Sequence, residues 1–200
     1  MDNRTIIISI VAAVLIFILI LVIAIRFGSR FIETPEKRAG RMGEKLATGL
    51  IKEILRGGDL LFTNVPIKAA GKQTEIDNLI INKNGIFIIE VKNYSGEIFG
   101  EEDDSEWIKN KVTPGGNIYQ KLIKNPIGQV KRQEYILAHY LKEHGFKVWV
   151  RGYVFFVEMN SPIRSSYVLD TRRDIDRAIH GSSEIFLDGN TVRRIADLFS

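Results

Sequence analysis

Residues 75–94, EIDNLIINKNGIFIIEVKNY, decide how the rest of the chain is read. Two runs rich in isoleucine, Glu75 to Asn82 and Ile86 to Asn93, flank Lys83-Asn84-Gly85. Such runs on either side of an Asn-Gly dipeptide predict two antiparallel strands joined by a tight turn. Side chains alternate across a strand, so Glu90 and Lys92 share a face with Ile88, while Phe87, Ile89 and Val91 take the other. The second strand is apolar on both faces until Glu90, the pattern of a strand in the middle of a sheet. A carboxylate and an ammonium at the end of such a strand need a reason, because desolvating either charge alone is costly.

Turn geometry decides whether Asp77 joins them. With Asn84-Gly85 as the turn, Lys83 faces Ile86, and Asp77 lies opposite Lys92 and diagonal to Glu90. With Lys83-Asn84 as the turn, Asp77 faces Glu90 directly. Both even registers put Asp77, Glu90 and Lys92 on one face; a three-residue loop moves Asp77 to the face of Val91. Two carboxylates within roughly 5 to 8 Å on a half-buried face repel each other unless a cation lies between them. Mg²⁺ or Mn²⁺ meets that need, since Mg²⁺ takes one or two protein carboxylates and leaves its other positions to water and phosphate oxygens. A lysine beside such a site orients or helps deprotonate an attacking water, and it stabilises charge on a phosphorane-like transition state. That is the working set of a phosphodiesterase. The structural alternative is that Glu90 and Lys92 sit at the solvent end of the strand and pair with each other or with Asp77.

Upstream of the hairpin, Thr34-Pro35-Glu36 reads as a helix start: a hydroxyl cap, proline at the first helical position and an acid in the first turn. Ala39, Met42, Leu46, Leu50 and Ile54 follow at helical spacing until Gly57-Gly58 stops the run. Leu60 to Pro66 predicts a short edge strand. Downstream, Ile98-Phe99 and Trp107-Ile108 bracket the acidic stretch Glu101 to Glu106, a second hairpin with a charged tip whose spacing fits no known calcium loop. Asn125-Pro126 caps a helix to about His144, ended by Gly145. Lys147 to Val157 predicts a central strand. A short strand around Tyr167 to Leu169 and helices near Asp174 to His180 and Thr191 to Phe199 finish the chain.

Lys121, Lys124, Lys131 and Arg132 surround the amino end of the Asn125-Pro126 helix, where free backbone N–H groups and lysines make a phosphate cradle. A solvated helix face explains the same four residues. Tyr119 and Tyr135 are available to stack on bases, with burial the default expectation. Nothing in the chain reads a base sequence, so backbone contacts with little sequence preference are expected.

Composition narrows the chemistry. The chain of 200 residues has no cysteine, which excludes disulfides, thiolate metal sites and a cysteine nucleophile. His139, His144 and His180 lack close metal-ligand spacing, so any metal is a hard cation held by carboxylates. The net charge of +4 is mild, but basic residues gather after residue 25 and around residues 121–132, which suits anionic lipid or nucleic acid.

The first quarter differs from the rest. From Ile6 to Ile25 the sequence IIISIVAAVLIFILILVIAI carries no charge and only Ser9 as a polar side chain. At 1.5 Å per residue this run spans roughly 30 Å, the thickness of a bilayer's hydrocarbon core. It predicts a transmembrane helix, since Arg26-Phe27-Gly28 is not the small-x-small site of a cleaved signal peptide. Arg4, the amino terminus and Asp2 precede it, whereas Arg26, Arg30, Lys37, Arg38 and Arg41 follow it. That asymmetry places the C-terminal domain in the cytoplasm, tethered at the cell membrane by a single pass.

The motifs GEKLATGLI (43–51), LLFTNVPI (60–67), EIDNLIIN (75–82), GIFIIEVKNYSGEIFG (85–100), Trp107 and NPIGQVKRQ (125–133) occur in an order that resembles the NERD domain, the nuclease-related domain of the PD-(D/E)xK superfamily. The resemblance runs from about Gly43 to Glu158. It implies an α/β fold with a restriction-endonuclease-like mixed β-sheet flanked by helices, and a site on the central hairpin. It also implies Glu44, Asp77, Glu90, Lys92 and Gln129 as catalytic residues. Asp77 and Glu90 would bind Mg²⁺ or Mn²⁺, Lys92 would serve the water, and Glu44 and Gln129 would support metal or substrate. Asp77 follows Ile76, where the superfamily's namesake motif has proline.

The expected organisation is a short tail (1–5), a transmembrane helix (6–25), a juxtamembrane linker (26–34), a NERD nuclease-like core (35–160) and a C-terminal extension packed on it (161–200). The expected function is a membrane-anchored, Mg²⁺-dependent nuclease acting on nucleic acid, with DNA as the expected form. The alternative is a non-catalytic nucleic-acid-binding or membrane adaptor module that retains the fold.

Overall fold

The computed structural model describes residues 2, 4, 10, 12–23, 33–112, 116–181 and 186–200. The chain divides into two units, Met1–Arg38 and Ala39–Ser200. In the first, residues 12–23 are helical and their large apolar side chains are exposed. Residues 6–9, 11, 24 and 25 of the expected span lie outside the described residues. Among the described residues no helix is long and apolar enough to cross a membrane.

Helices α1 (Pro35–Ile54), α2 (Pro126–Glu143), α3 (Arg172–His180) and α4 (Gly189–Ala196) accompany strands β1 (Leu60–Ala69), β2 (Lys72–Asn82), β3 (Gly85–Lys92), β4 (Glu97–Phe99), β5 (Glu106–Val112), β6 (Ile118–Lys124), β7 (Val150–Phe156) and β8 (Val168–Leu169). Among the described residues the main sheet has five strands in the order β1-β2-β3-β7-β8, and a smaller one has the order β4-β5-β6. β1, β2 and β3 pair antiparallel, whereas β3 pairs with β7 and β7 with β8 in parallel. The larger unit is therefore a mixed α/β fold, a mixed sheet flanked by helices.

The alternation read from the central strand is the alternation of its two cores. Ile86 and Ile88 pack with Ile136, Leu137 and Leu141 of α2 and with Val192 and Ile195 of α4. Phe87, Ile89 and Val91 pack with Ala47 and Ile51 of α1 and with Ile175 and Ile179 of α3. A third cluster joins the small sheet to the domain, with Trp107 stacked on Phe156 at 6.2 Å between ring centroids.

Two helices come unusually close to the sheet, and both bear on the site. A Cβ added to Gly43 of α1 would lie 2.5 Å from Asn93 Cβ, just past β3. Asn93 Nδ2 donates to the Ala39 carbonyl at 2.8 Å and locks that approach. This corrects the expected apolar stripe of α1. The small residues Gly43 and Ala47 face the sheet with Ile51, while Met42 and Leu46 are left exposed, because the helix lies too near for large side chains at the contact. On the other face Gly152 of β7 admits α2, since a Cβ there would overlap Val130. Glu134 of α2 accepts a hydrogen bond from Gly152 N across the contact.

Other boundaries shift for local reasons. The hairpin closes on the pair Asn82↔Gly85, so Lys83-Asn84 are the turn residues. Asn82 Oδ1 accepts from Asn84 N at 2.9 Å, and the positive φ of 138° falls on Gly85. β1 runs on to Ala69, because Ala70-Gly71 make the next turn with φ of 50° and 69°. β6 had no counterpart in the sequence reading: IYQKLIK is mostly exposed and lacks the buried alternation that marks a core strand.

Candidate active site

The turn on Lys83-Asn84 selects the register in which Asp77 falls opposite Glu90. The ladder between β2 and β3 runs from Asn82↔Gly85 to Asn78↔Ile89, and there the strands part. At that fork the Asp77 carboxylate takes the place of a backbone partner, with Oδ2 accepting from Val91 N at 2.8 Å. The site is thus built where the hairpin opens, at the end of the most buried strand of the fold.

Glu90 is 3% exposed, and both of its carboxyl oxygens accept hydrogen bonds. Oε1 accepts from Lys92 Nζ at 2.6 Å and from Gln129 Nε2 at 2.6 Å, and Oε2 accepts from Gln133 Nε2 at 2.7 Å. Gln129 Oε1 accepts in turn from Lys92 Nζ at 3.0 Å, which closes a triangle. Burial pulls the Lys92 pKa down, but Glu90, Tyr94 and Asp77 outweigh it and the net displacement is upward. Lys92 is therefore held as a cation, and in this state it can donate a hydrogen bond but cannot act as a base.

Gln129 and Gln133 reach Glu90 because the start of α2 is fixed. The buried Asn125 caps the helix, its Oδ1 accepting from Ile127 N at 2.9 Å. Its Nδ2 donates to the carbonyls of Glu102 at 2.9 Å and Asp104 at 2.8 Å. One side chain thus sets the helix start and gathers the acidic loop around it. Gln133 was missing from the sequence reading, although it stands four residues after Gln129 on the same helix face and belongs to the quoted NPIGQVKRQ. Tyr94, whose phenol burial pushes up while Lys92 opposes the shift, was missed as well.

Asp77 has very different surroundings. Burial first, and the neighbouring Glu90 second, push its pKa up to about 7, while the Val91 hydrogen bond and Lys92 oppose the shift. Glu44 adds a smaller push in the same direction, so the α1 glutamate does lie within electrostatic reach. Asp77 and Glu44 open on a cavity of about 370 Å³ that is also lined by Arg41, Lys45, Thr48, Lys52, Thr63 and Asn64. Thr48 Oγ1 donates to Asn78 Oδ1 at 2.8 Å and pins α1 to β2 beside Asp77.

All five expected catalytic residues are thus near one another: Glu90, Lys92 and Gln129 in direct contact, Asp77 and Glu44 in the field of that group. Asp77 and Glu90 are the pair that could hold a hard cation, which would offset the repulsion by Glu90 that helps raise the Asp77 pKa. Among the described residues no three acidic or histidine side chains converge closely enough to hold a metal between them.

The residues of the expected phosphate cradle have acidic and aromatic neighbours. Lys121 and Lys124 lie on β6, and Lys124 is paired in register with Glu106. Lys131 lies 3.8 Å from Glu102 and stacks over Tyr167 at 4.9 Å. Arg132 is exposed on α2. The acidic loop folds back on the amino end of this helix, because its carbonyls are what Asn125 binds. Tyr119 and Tyr135, expected to be buried, are exposed.

A family model described as the nuclease-related domain, NERD, matches residues 39–157. An uncharacterized protein of Bacillus anthracis is 34% identical over 96 residues, which cover 47% of this chain and 45% of that relative. The chain therefore spans less than half the length of the curated relative it matches. No solved structure matches the chain. The family match covers more than half of the chain and contains Glu44, Asp77, Glu90, Lys92 and Gln129, and the chain belongs to the NERD, or nuclease-related domain, family.

Proposed function

We propose that this chain is a metal-dependent nuclease with a restriction-endonuclease-like core, hydrolysing phosphodiester bonds of DNA with little sequence preference. The single observation that carries this reading is the asymmetric acid pair. Glu90 is compensated by three donors, while Asp77, opposite it, is pushed to a pKa of about 7 and opens on a cavity lined by cations. The apolar run at residues 6–25 and the basic residues after it support a location at the cytoplasmic face of the cell membrane.

Mg²⁺ or Mn²⁺ bound by Asp77 and Glu90 would supply Lewis acidity toward a phosphoryl oxygen and lower the pKa of the attacking water. The chain's own residues have distinct tasks. Asp77 would hold the cation as a carboxylate, and its raised pKa of about 7 would couple binding to proton release near neutral pH. Lys92, held as a cation, donates to the attacking water or to the oxygen on which charge develops. Gln129 fixes the Lys92 ammonium, and Gln133 fixes Glu90 from behind. Glu44 faces the cavity and orients water beside Asp77.

A second reading, a nucleic-acid-binding module without catalysis, draws on one observation. Three protein donors already occupy most of the acceptor capacity of Glu90, so a cation would have to share Oε2 with Gln133 or displace a donor. The full-length chain in neutral detergent, given plasmid and single-stranded DNA with Mg²⁺ or Mn²⁺, separates the two. Cleavage that stops with EDTA and in Lys92→Met is expected. Binding without cleavage in either metal would leave the module reading in its place.

A further inference from the structure

Arg41, Lys45, Thr48 and Lys52 all line the cavity that contains Asp77. Their spacing of four, three and four residues puts them on one face of α1, over about 16 Å of helix axis. Arg41, Lys45 and Lys52 are not among the cations that the sequence assigned to nucleic acid. α1 carries this face toward the site because Gly43 lets the helix approach Asn93 and Thr48 bonds Asn78.

The opposite wall of the cavity is open for an equally local reason. β1 pairs Thr63 with Asn78 and Val65 with Ile76, and the pair between them is missing directly across from Asp77. There Asn64 takes a φ of 53°, a left-handed conformation that turns the strand out of the ladder. Asn64 and Thr63 are exposed and line the cavity. The cavity therefore has a cationic helix as one wall, an interrupted edge strand as the other, and the most perturbed carboxylate of the site within it.

A cleft of this kind suits a chain of anions rather than one anion, since its cations are strung along an axis and do not converge on a point. The amino end of α2 offers the opposite environment, wrapped by the Glu101–Asp104 carbonyls and with Lys131 beside Glu102. We infer that the sugar-phosphate backbone of a nucleic acid runs along α1, its phosphates contacted by Lys45, Lys52 and Arg41, and that this track delivers the scissile phosphate to Asp77. The residues of β6 and α2 lie off the track. The identity of the reacting bond rests on the nuclease reading, whereas the track is tested by binding alone.

The test measures binding of fluorescein-labelled 30-mers, single-stranded and duplex, to the full-length chain in neutral detergent with EDTA, across a salt series. Each phosphate contact contributes about 0.9 to the slope of log K against log salt on duplex and about 0.7 on a single strand. Lys45→Ala/Lys52→Ala is expected to flatten the duplex slope by about 2 and to weaken binding about tenfold or more. Lys121→Ala/Lys124→Ala is expected to change the slope by less than about 0.5. Circular dichroism and melting show whether either variant has lost its fold, and Lys45→Gln/Lys52→Gln repeats the test with another side chain. An α1 variant that keeps both slope and affinity overturns the track, as does a β6 variant that takes the loss instead. Wild type that binds with the expected pattern but never cuts sinks the nuclease reading and leaves the track standing. Absence of salt-dependent binding by wild type sinks both.

Discussion

Asp77 and Glu90 face each other across one hairpin, yet the protein holds them in opposite ways. Glu90, 3% exposed, is surrounded by Lys92, Gln129 and Gln133, so its charge is balanced within the fold. Asp77 receives one backbone hydrogen bond from Val91 and some relief from Lys92, but desolvation and the charges of Glu90 and Glu44 outweigh both. The difference separates structure from readiness for a ligand. Glu90 stabilises the fold through its partners, whereas Asp77 is a destabilising group kept in place at a cavity, the usual signature of a functional carboxylate.

The contrast can be broken most directly at Lys92. In Lys92→Met, Glu90 remains buried beside two amides but without its cation, and losing one partner of a buried pair costs about 3–5 kcal/mol. Urea denaturation should show that loss, together with a fall in cleavage of about 10³-fold. The double variant Lys92→Met/Glu90→Gln should recover most of the stability and none of the activity. If the single variant is as stable as wild type, Glu90 is not the compensated acid described above.

Asp77→Asn should act in the opposite direction. The folded pKa of about 7 lies above the ordinary value of 3.8, so the folded state holds a proton that the unfolded chain has already lost. The stability linked to Asp77 is therefore full below about pH 4 and falls away as pH rises toward 7, levelling off above it. Asparagine retains a carbonyl for Val91 N–H and removes the titration. Its melting temperature should exceed that of wild type at pH 8, by an amount worth up to about 4 kcal/mol, and the gap should shrink toward pH 4. Mg²⁺ at pH 8 should raise the melting temperature of wild type and leave the variant unmoved. A variant less stable than wild type at pH 8 would remove the argument for an uncompensated acid.

Gln133→Leu sharpens the comparison with the smallest expected change. It leaves Glu90 Oε2 and the Glu75 carbonyl without the donor that now serves both, at 2.7 and 3.0 Å. A buried acceptor left unsatisfied costs about 1–3 kcal/mol, so thermal unfolding should shift by a few degrees. Lys92 and Asp77 should be barely affected, so cleavage should fall much less than in Lys92→Met. A loss equal to that of Lys92→Met would make Gln133 part of the reacting set.

What could be read in advance follows from period and from locality. The two-residue alternation of GIFIIEVK announced both the central strand and the common face of Glu90 and Lys92, because strand geometry admits no other arrangement. Thr34-Pro35 and Asn125-Pro126 announced two helix starts, because capping is a local hydrogen bond. The buried face of α1 was misread, because Met42 and Leu46 are more hydrophobic than Gly43 and Ala47 and only the approach to Asn93 reverses their order. The surroundings of the basic residues 121–132 could not be read for a similar reason. Clustering along the chain does not reveal that an acidic loop folds over the same helix end. Gln133 was legible by its four-residue spacing from Gln129 and was passed over.

By itself the sequence determined the elements around the hairpin, the two-faced central strand and the family, and it singled out Asp77, Glu90 and Lys92 plus helix residues as candidates. These rest on near-neighbour chemistry: alternation, caps, turn residues and the types of side chain that can do the work. The tertiary structure decided which of two even registers the hairpin adopts, that β2 and β3 part at Asp77, and that Glu90 is compensated while Asp77 is not. It also decided that α1 contributes Arg41, Lys45 and Lys52 to the cavity beside Asp77. Each of these depends on groups far apart in the chain being brought together at specific distances, and on how much water is left around them. Burial and approach of that kind are properties of packing, which no local pattern encodes.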